Sequence, residues 1–442
     1  MKFINREREL QRLATIRQAS ETRSQMTVLV GRRRIGKTRL VRESLKDRPY
    51  LYFFVARKEE RLLCEEYVAQ VQALWGEEVF GEIRHFRDIF RLLLTRAERE
   101  SLTLVIDEFQ EFSRINSAVY SEMQDLWDRF KDRTRMNLIL SGSVYSLMQR
   151  IFEHSKEPLF GRADHRLEVK PFGVAIQRQL LTEQAPQWQP DDLLTFYLLT
   201  GGVPKYVEQL VDQQKLNQAA MIDVVFQPDS LFLEEGKNVL IEEFGKEYTT
   251  YFSILALLAG GRTDRPAMES MLQKDVGGYL EQLEKHYQLI RKVRPILAKP
   301  QSRQVRYEIQ DNFLQFWFRF IYKHKGAVEI GNFAYLKEVY TRDYPTYSGH
   351  LLEKWFRTEV AASGEWAEVG RYWEKGHQNE IDIVAINPLD KRVLCAEVKR
   401  NAQQYSEAKL RAKAQGLLRK FGGYEIEYRG FSLGDLRYDE QW

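Results

Sequence analysis

A chain of 442 residues, 43% hydrophobic and 29% charged, carries more apolar side chains than one ordinary core takes up, so two to four domains are expected. A net charge of +4 permits a nucleic-acid partner without demanding one, so any such argument must rest on local patches. Two cysteines, Cys64 and Cys395, exclude a disulfide framework and a thiolate metal cluster, as suits a reducing compartment. The start of the chain carries charges where a secretory signal needs an apolar stretch, and no apolar run is long enough to cross a bilayer. The expected location is therefore the cytoplasm, with no membrane partner.

From Phe3 to Ala19 the pattern is that of an amphipathic helix, with Leu10, Leu13 and Ile16 at helical spacing. Met26-Thr-Val-Leu-Val-Gly31-Arg-Arg-Arg-Ile-Gly36-Lys37-Thr38 then reads as a buried strand, a Gly-x-x-x-x-Gly-Lys-Thr loop and the start of a helix. Gly31 and Gly36 let backbone N–H groups converge on a polyphosphate. Lys37 is placed for the β- and γ-phosphates and Thr38 for Mg²⁺, at a helix N-terminus that favours anions. Arg34, Ile35 and Arg39 complete the expected nucleotide-binding stretch. A glycine turn before a basic helix would look the same, so a second feature must support the loop.

Further along, Pro49 to Val55 reads as a strand, and Glu59 to Trp75 and Phe86 to Arg99 as helices. Ser101-Leu-Thr-Leu-Val-Ile-Asp107-Glu108 is a second buried strand, ending in two carboxylates. Asp107 is expected to hold Mg²⁺ through water and Glu108 to orient or deprotonate an attacking water. Acidic residues also follow strands simply as loop starts, but two such strand ends in this order make nucleotide binding the stronger reading. A helix over Tyr120 to Phe130, a strand from Met136 ending at Ser141, and a last strand over Arg166 to Phe172 follow. The expected fold is α/β, a parallel sheet with right-handed crossovers. Helices at Val174 to Leu181 and Asp191 to Thr200 then lead to the turn Gly201-Gly-Val-Pro204.

From Glu242 the texture changes. Helices over Tyr248 to Ala259, Pro266 to Gln273 and Val276 to Tyr287, then alternating segments at 288–294 and 304–309, give a winged-helix pattern. Its third helix would enter a major groove, with Arg291, Lys292, Arg294, Lys299, Arg303 and Arg306 along the wing near phosphates; solvated basic hairpins are equally common. The aromatic helix Asp311 to Lys323 reads as packing rather than base stacking, and Lys325 to Gly349 as a linker. Beyond it, Glu353 lies on a helix flank, and Glu380-Ile-Asp382 and Glu397-Val-Lys399 lie on two alternating strands whose pairing brings Asp382, Glu397 and Lys399 to one sheet end. Carboxylates there would hold Mg²⁺, and the lysine would position a water for phosphodiester attack; cross-strand pairing on a solvated face is the plainer alternative.

Several stretches resemble known families. Phe3-Ile-Asn5-Arg6-Glu7-Arg-Glu-Leu10 is similar to the segment before the P-loop in archaeal-type ATPases of the AAA+/STAND group, and a further strand between the P-loop strand and the acidic one fits the ATPase branch of P-loop folds. The resemblance implies that Asn5, Arg6 and Pro204 lie at the nucleotide and that Ser141 senses the γ-phosphate. It also implies that Arg162, in Pro158-Leu-Phe-Gly161-Arg162, offsets γ-phosphate charge in cis or across a subunit contact. Residues Gly349 to about Phe421 resemble the PD-(D/E)XK nuclease superfamily, and more closely the C-terminal domain of archaeal-type ATPases of the DUF234 family. They lack the Pro-Asp pair, since Ile381 precedes Asp382. The expected organisation is an ATPase core at 1–172, a helical lid at 173–241, a winged-helix domain at 242–325, and a linker with a nuclease-like domain at 326–442. The expected function is ATP hydrolysis with Mg²⁺ coupled to DNA binding or cleavage, with self-association open. The rival is a nucleotide-operated switch with an inactive nuclease-like domain, and a small-molecule kinase is disfavoured by Glu108.

Overall fold

The computed structural model describes residues 3–79, 81–244, 248–376 and 378–437, and the chain divides into two compact units at Pro171 and Phe172. In the first unit, strands β1 (Gln25–Val30), β2 (Leu51–Phe54), β3 (Leu102–Asp107), β4 (Met136–Ser141) and β5 (His165–Glu168) form one parallel sheet in the order β2-β3-β4-β1-β5. The three central strands are buried almost throughout, which is why they read as continuous apolar runs. Helices Glu60–Trp75, Phe86–Ala97 and Ala118–Phe130 set Leu63, Tyr67, Phe86, Phe90 and Trp127 into one core with Phe53, whose ring stacks on Tyr67 at 4.1 Å. The strand separating β1 from β3 is β4, while β2 takes the edge. The carboxyl ends of β1, β4 and β3, which carry Gly31, Ser141 and Asp107, therefore lie side by side. That end of a parallel sheet is where ligands bind.

The second unit begins with five helices, Val174–Gln184, Pro190–Thr200, Pro204–Asp212, Gln218–Val225 and Leu231–Phe244. Helices Thr249–Ala259, Arg265–Leu272 and Gly277–Glu281 follow, the last running into a π-helical turn at Gln282–His286. An antiparallel hairpin comes next, β6 (Ile290–Val293) with β7 (Arg306–Ile309), paired Ile290 to Ile309 and Val293 to Arg306. The aromatic segment from Asn312 is packing, as its periodicity predicts: Phe313, Phe316, Trp317, Phe320 and Ile321 are buried, and the Trp317 indole N–H donates to Leu233 O at 2.8 Å.

The expected linker over 325–349 is instead helical. A short helix, Lys325–Glu329, precedes a 30-residue one, Phe333–Ala362, that runs through Pro345. Pro345 and Gly349 read as breakers, yet Leu336, Val339, Tyr340, Tyr344, Tyr347, Leu351, Leu352 and Trp355 bury one continuous face, which outweighs the hydrogen bond a proline withholds. The chain closes with a mixed sheet of order β11-β10-β9-β8, built from β8 (Glu368–Tyr372), β9 (Ile381–Asn387), β10 (Arg392–Lys399) and β11 (Glu425–Ser432). β9 runs antiparallel to both β8 and β10, and β11 is parallel to β10 after the crossover helix Glu407–Leu418. No described helix is long and apolar enough to cross a membrane.

Candidate functional site

At the carboxyl end of β1 the backbone does what the glycine spacing predicts, though for two different reasons. A Cβ on Gly31 would lie 2.7 Å from the carbonyl oxygen of Val169, so this glycine serves the close approach of the chain leaving β5. Gly36 has φ 88° and open space where a side chain would project, which leaves the loop's inner side clear before the helix Lys37–Ser44. Between them, Arg34 is also left-handed at φ 66°, and buried Ile35 anchors the loop from beneath. The Lys37 ammonium donates to the carbonyls of Gly31 at 2.6 Å and Arg32 at 3.2 Å, so it stands inside the curl of its own loop.

Thr38 and Asp107 meet across the sheet end. The Thr38 hydroxyl donates to Asp107 Oδ2 at 2.9 Å, and the Tyr52 hydroxyl on β2 donates to the same oxygen at 2.5 Å. Burial first, then the hydrogen bond to Asp107, pushes the Tyr52 phenol well above its ordinary pKa and keeps it a donor. The other Asp107 oxygen accepts the backbone N–H of Glu108 at 3.0 Å. A hydroxyl and a buried carboxylate that meet beside the loop are the hard oxygen donors Mg²⁺ takes, so these residues fit the ion, which Thr38 would hold directly and Asp107 through water.

Glu108 itself is strained into the left-handed region at φ 56°. Its carboxylate accepts from Gln110 Nε2 at 2.5 Å and from Ser143 Oγ at 2.6 Å, so it is tethered at the end of β4. Ser141, the expected γ-phosphate sensor, is buried and its hydroxyl has no partner among the described residues. The serine that reaches Glu108 is Ser143, two residues further on. Arg162 pairs with Asp128 at 3.1 Å and donates to Phe160 O at 2.8 Å. Arg6 is buried, donating to Glu9 at 3.0 Å and to Lys170 O at 2.8 Å. Asn5, before it, has φ 50°, and Arg39 lies over the Phe3 ring at 5.9 Å. Pro204 is the first residue of its helix in the second unit.

The C-terminal sheet gathers the second constellation differently from the expectation. Lys399 Nζ lies 3.3 Å from Glu397 and 3.9 Å from Asp382, and the Val398 N–H donates to Asp382 Oδ2 at 2.9 Å. These three residues do come together. Glu397 also meets Lys413 from the crossover helix. Glu353 takes other partners, Arg371 on β8 at 3.2 Å and His350 at 3.4 Å; burial raises its pKa, but the His350 hydrogen bond and the Arg371 charge outweigh it and hold the carboxyl below the ordinary range. Among the described residues no three His, Cys, Asp or Glu side chains are grouped as a ready cation site; Arg371 pairs with Glu353, Lys399 with Asp382 and Glu397, and Lys413 with Glu397. Burial, then the negative charge of Glu353, lifts the Asp382 carboxyl to about 6, while the Val398 N–H and Lys399 pull the other way.

A family described as an ATPase domain predominantly from Archaea matches residues 3–210, and the family DUF234, archaeal and bacterial proteins of unknown function, matches residues 317–411. Residues 3–210 are an archaeal-type P-loop ATPase domain and residues 317–411 a DUF234 domain. An uncharacterized protein of Methanocaldococcus jannaschii is 29% identical to this ATPase over 409 residues, which span 90% of the chain and 87% of that protein. A second uncharacterized protein of the same organism is 33% identical over 72 residues, 16% of the chain and 70% of its own length. Among solved structures, a Walker-type ATPase of Pyrococcus abyssi aligns with a TM-score of 0.53 at 19% identity, over 72% of this chain and 96% of its own. That likeness concerns the fold.

Four residues that shape the ATPase's two candidate sites escaped the sequence reading: Tyr52, Ser143, Arg371 and Lys413. Tyr52 and Ser143 sit one strand away from the acidic strand end, and only the strand order makes them neighbours. Nothing in the local pattern around Arg371 or Lys413 marks either one.

Proposed function

We propose that this ATPase hydrolyses ATP with Mg²⁺ at the end of its parallel sheet. The contact between Thr38 and Asp107, closed beneath the loop that holds Lys37, carries the reading. When bound, Mg²⁺ would neutralise charge on the β- and γ-phosphates. Lys37 would exchange its two loop carbonyls for phosphate oxygens, and Glu108, released from Ser143 and Gln110, would take the proton of the attacking water. Arg162 would act on the γ-phosphate only after leaving Asp128, within one chain or from a second copy. The test is ATP turnover by the full chain. Lys37→Ala and Asp107→Asn should each cost at least about 100-fold in kcat, chelation of divalent metal should abolish turnover, and circular dichroism should stay unchanged. Unimpaired turnover in both variants would overturn the proposal.

A second reading concerns the C-terminal domain, which we take to be nuclease-like and to act on DNA. Its support is the bridge from Lys399 to both Asp382 and Glu397, at the sheet end where a phosphodiester would be attacked. The three helices and hairpin before it have winged-helix order. Two of the expected phosphate contacts turn inward, however: Arg291 pairs with Glu308 and Arg306 with Glu380, leaving Lys299 and Arg303 exposed on the hairpin loop. Mg²⁺-dependent nicking of plasmid that disappears in Asp382→Ala and Lys399→Ala would support cleavage. ATP-dependent retention of DNA or of a second copy without nicking would instead support the switch reading.

A further inference from the structure

We propose that the cavity of about 500 Å³ between the β6–β7 hairpin, the end of helix Thr249–Ala259 and one face of helix Phe333–Ala362 seats a phosphate-bearing ligand the size of a mononucleotide, through Lys354 and Arg357. This site is separate from the ATP site and does not depend on cleavage at Asp382.

The argument is one of unbalanced charge. Arg306, Arg319, His350, Lys354, Arg357 and Arg371 line the cavity, against the carboxylates of Asp264 and Glu308. Each nearby carboxylate is already engaged. Glu308 meets Arg291 and Arg371, both at 2.8 Å; Glu380 meets Arg306 at 2.6 Å and Arg371 at 3.0 Å; Glu353 meets Arg371 and His350. Asp264 caps the helix Arg265–Leu272 through the N–H of Ala267. Arg319 has Asp343 at 3.5 Å.

Lys354 and Arg357 are left over. Lys354 donates only to neutral acceptors, Gln310 O at 2.7 Å and Asn312 Oδ1 at 2.5 Å, and Arg357 reaches only the carbonyl of Asp382, at 3.4 Å. Among the described residues neither has a carboxylate within 4.0 Å. They stand three residues apart on one helix face, so a lysine and an arginine point the same way with no carboxylate in contact; burial holds the Lys354 ammonium down at about 7, and a bound anion would restore its charge. Two further lining residues, Arg319 and Arg371, each keep a buried Nε–H with no acceptor among the described residues. Unmet donors and basic side chains that touch no carboxylate are what a phosphate dianion satisfies. It accepts several N–H bonds and suits the planar fork of arginine.

The test uses the full chain carrying Lys37→Ala, to remove the ATP site, at fixed ionic strength. The probes are inorganic phosphate, AMP and a short oligonucleotide with either a 5′-phosphate or a 5′-hydroxyl. We expect binding of phosphate-bearing probes, lost at least tenfold on adding Lys354→Gln or Arg357→Gln and kept with Lys409→Gln on the exposed face of the crossover helix. AMP binding as tightly as the phosphorylated oligonucleotide would identify a free nucleotide as the ligand; a preference for the 5′-phosphorylated strand over the hydroxyl one would identify a nucleic-acid end. Should a charge-removing variant fail to fold, Arg357→Lys keeps the charge and loses the fork, and should bind threefold or more weakly. No binding of any probe, or binding indifferent to Lys354 and Arg357, would overturn the proposal.

Discussion

The Asp382 carboxyl is pulled in opposite directions, and the sum of those pulls is measurable. Burial and the neighbouring Glu353 charge raise it to about 6, above the ordinary aspartate value of about 3.9, while Lys399 and the Val398 N–H oppose them. Because the folded value lies above the unfolded one, the folded protein keeps a proton that the unfolded chain has released. The resulting stability is fully present below about pH 4 and lost as pH rises through about 6. Asp382→Asn, which cannot ionise, should therefore gain on the unaltered protein across that window, reaching at most about 3 kcal/mol at pH 7.5 and nearly nothing at pH 4. Urea unfolding at the two pH values measures this. Carboxyl NMR adds a second reading: a midpoint near 6 is expected, shared with Glu353 as a pair, and Mg²⁺ should lower it if the cluster takes a cation. A midpoint near 4 would show that burial does not govern this group.

At the scale of elements, the long helix Phe333–Ala362 tests how much packing tolerates a poor residue. Pro345 is exposed on it, so replacing the ring with alanine restores a backbone donor without opening a cavity. Pro345→Ala should raise stability by about 1–3 kcal/mol in urea titrations; a loss would show that the ring shapes the helix. The same helix shows where a sequence can be read and where it cannot. β1, β3 and β4 were legible because their Val, Ile and Leu runs are buried on both faces, and the P-loop because its glycines sit at fixed offsets. In sequence the helix reads as a linker because Pro345 and Gly349 are local signals, whereas the burial of Tyr340, Tyr344 and Tyr347 depends on what packs against them. Ser143 rather than Ser141 reaches Glu108 because the chain leaves β4 at Gly142, a turn the residue types leave open. Arg371 was illegible for a similar reason. It meets Glu308, Glu353 and Glu380, which approach from a hairpin strand, a helix and the loop before β9.

Considered as a whole, the molecule has at least two separately closed apolar cores, one under the parallel sheet and one under the mixed sheet. Whether a nucleotide at the first is felt at the second is a question about linked equilibria, and hydrogen exchange answers it residue by residue. A ligand that binds the folded P-loop unit at 100 times its Kd stabilises that unit by about 2.7 kcal/mol, which should slow exchange of the most protected amides in β1, β3 and β4 about 100-fold. If the two units are energetically independent, amides in β10 and in helix Phe333–Ala362 keep their rates. If nucleotide state governs the C-terminal domain, those amides must change as well, because a ligand can shift a distant equilibrium only through a difference in affinity between two states of the whole chain. The coupling expected from the sequence therefore predicts altered protection in β10 with Mg²⁺ and a non-hydrolysable ATP analogue, and no alteration in Lys37→Ala. Protection confined to the first unit would leave the protein an ATPase whose C-terminal domain is indifferent to the nucleotide.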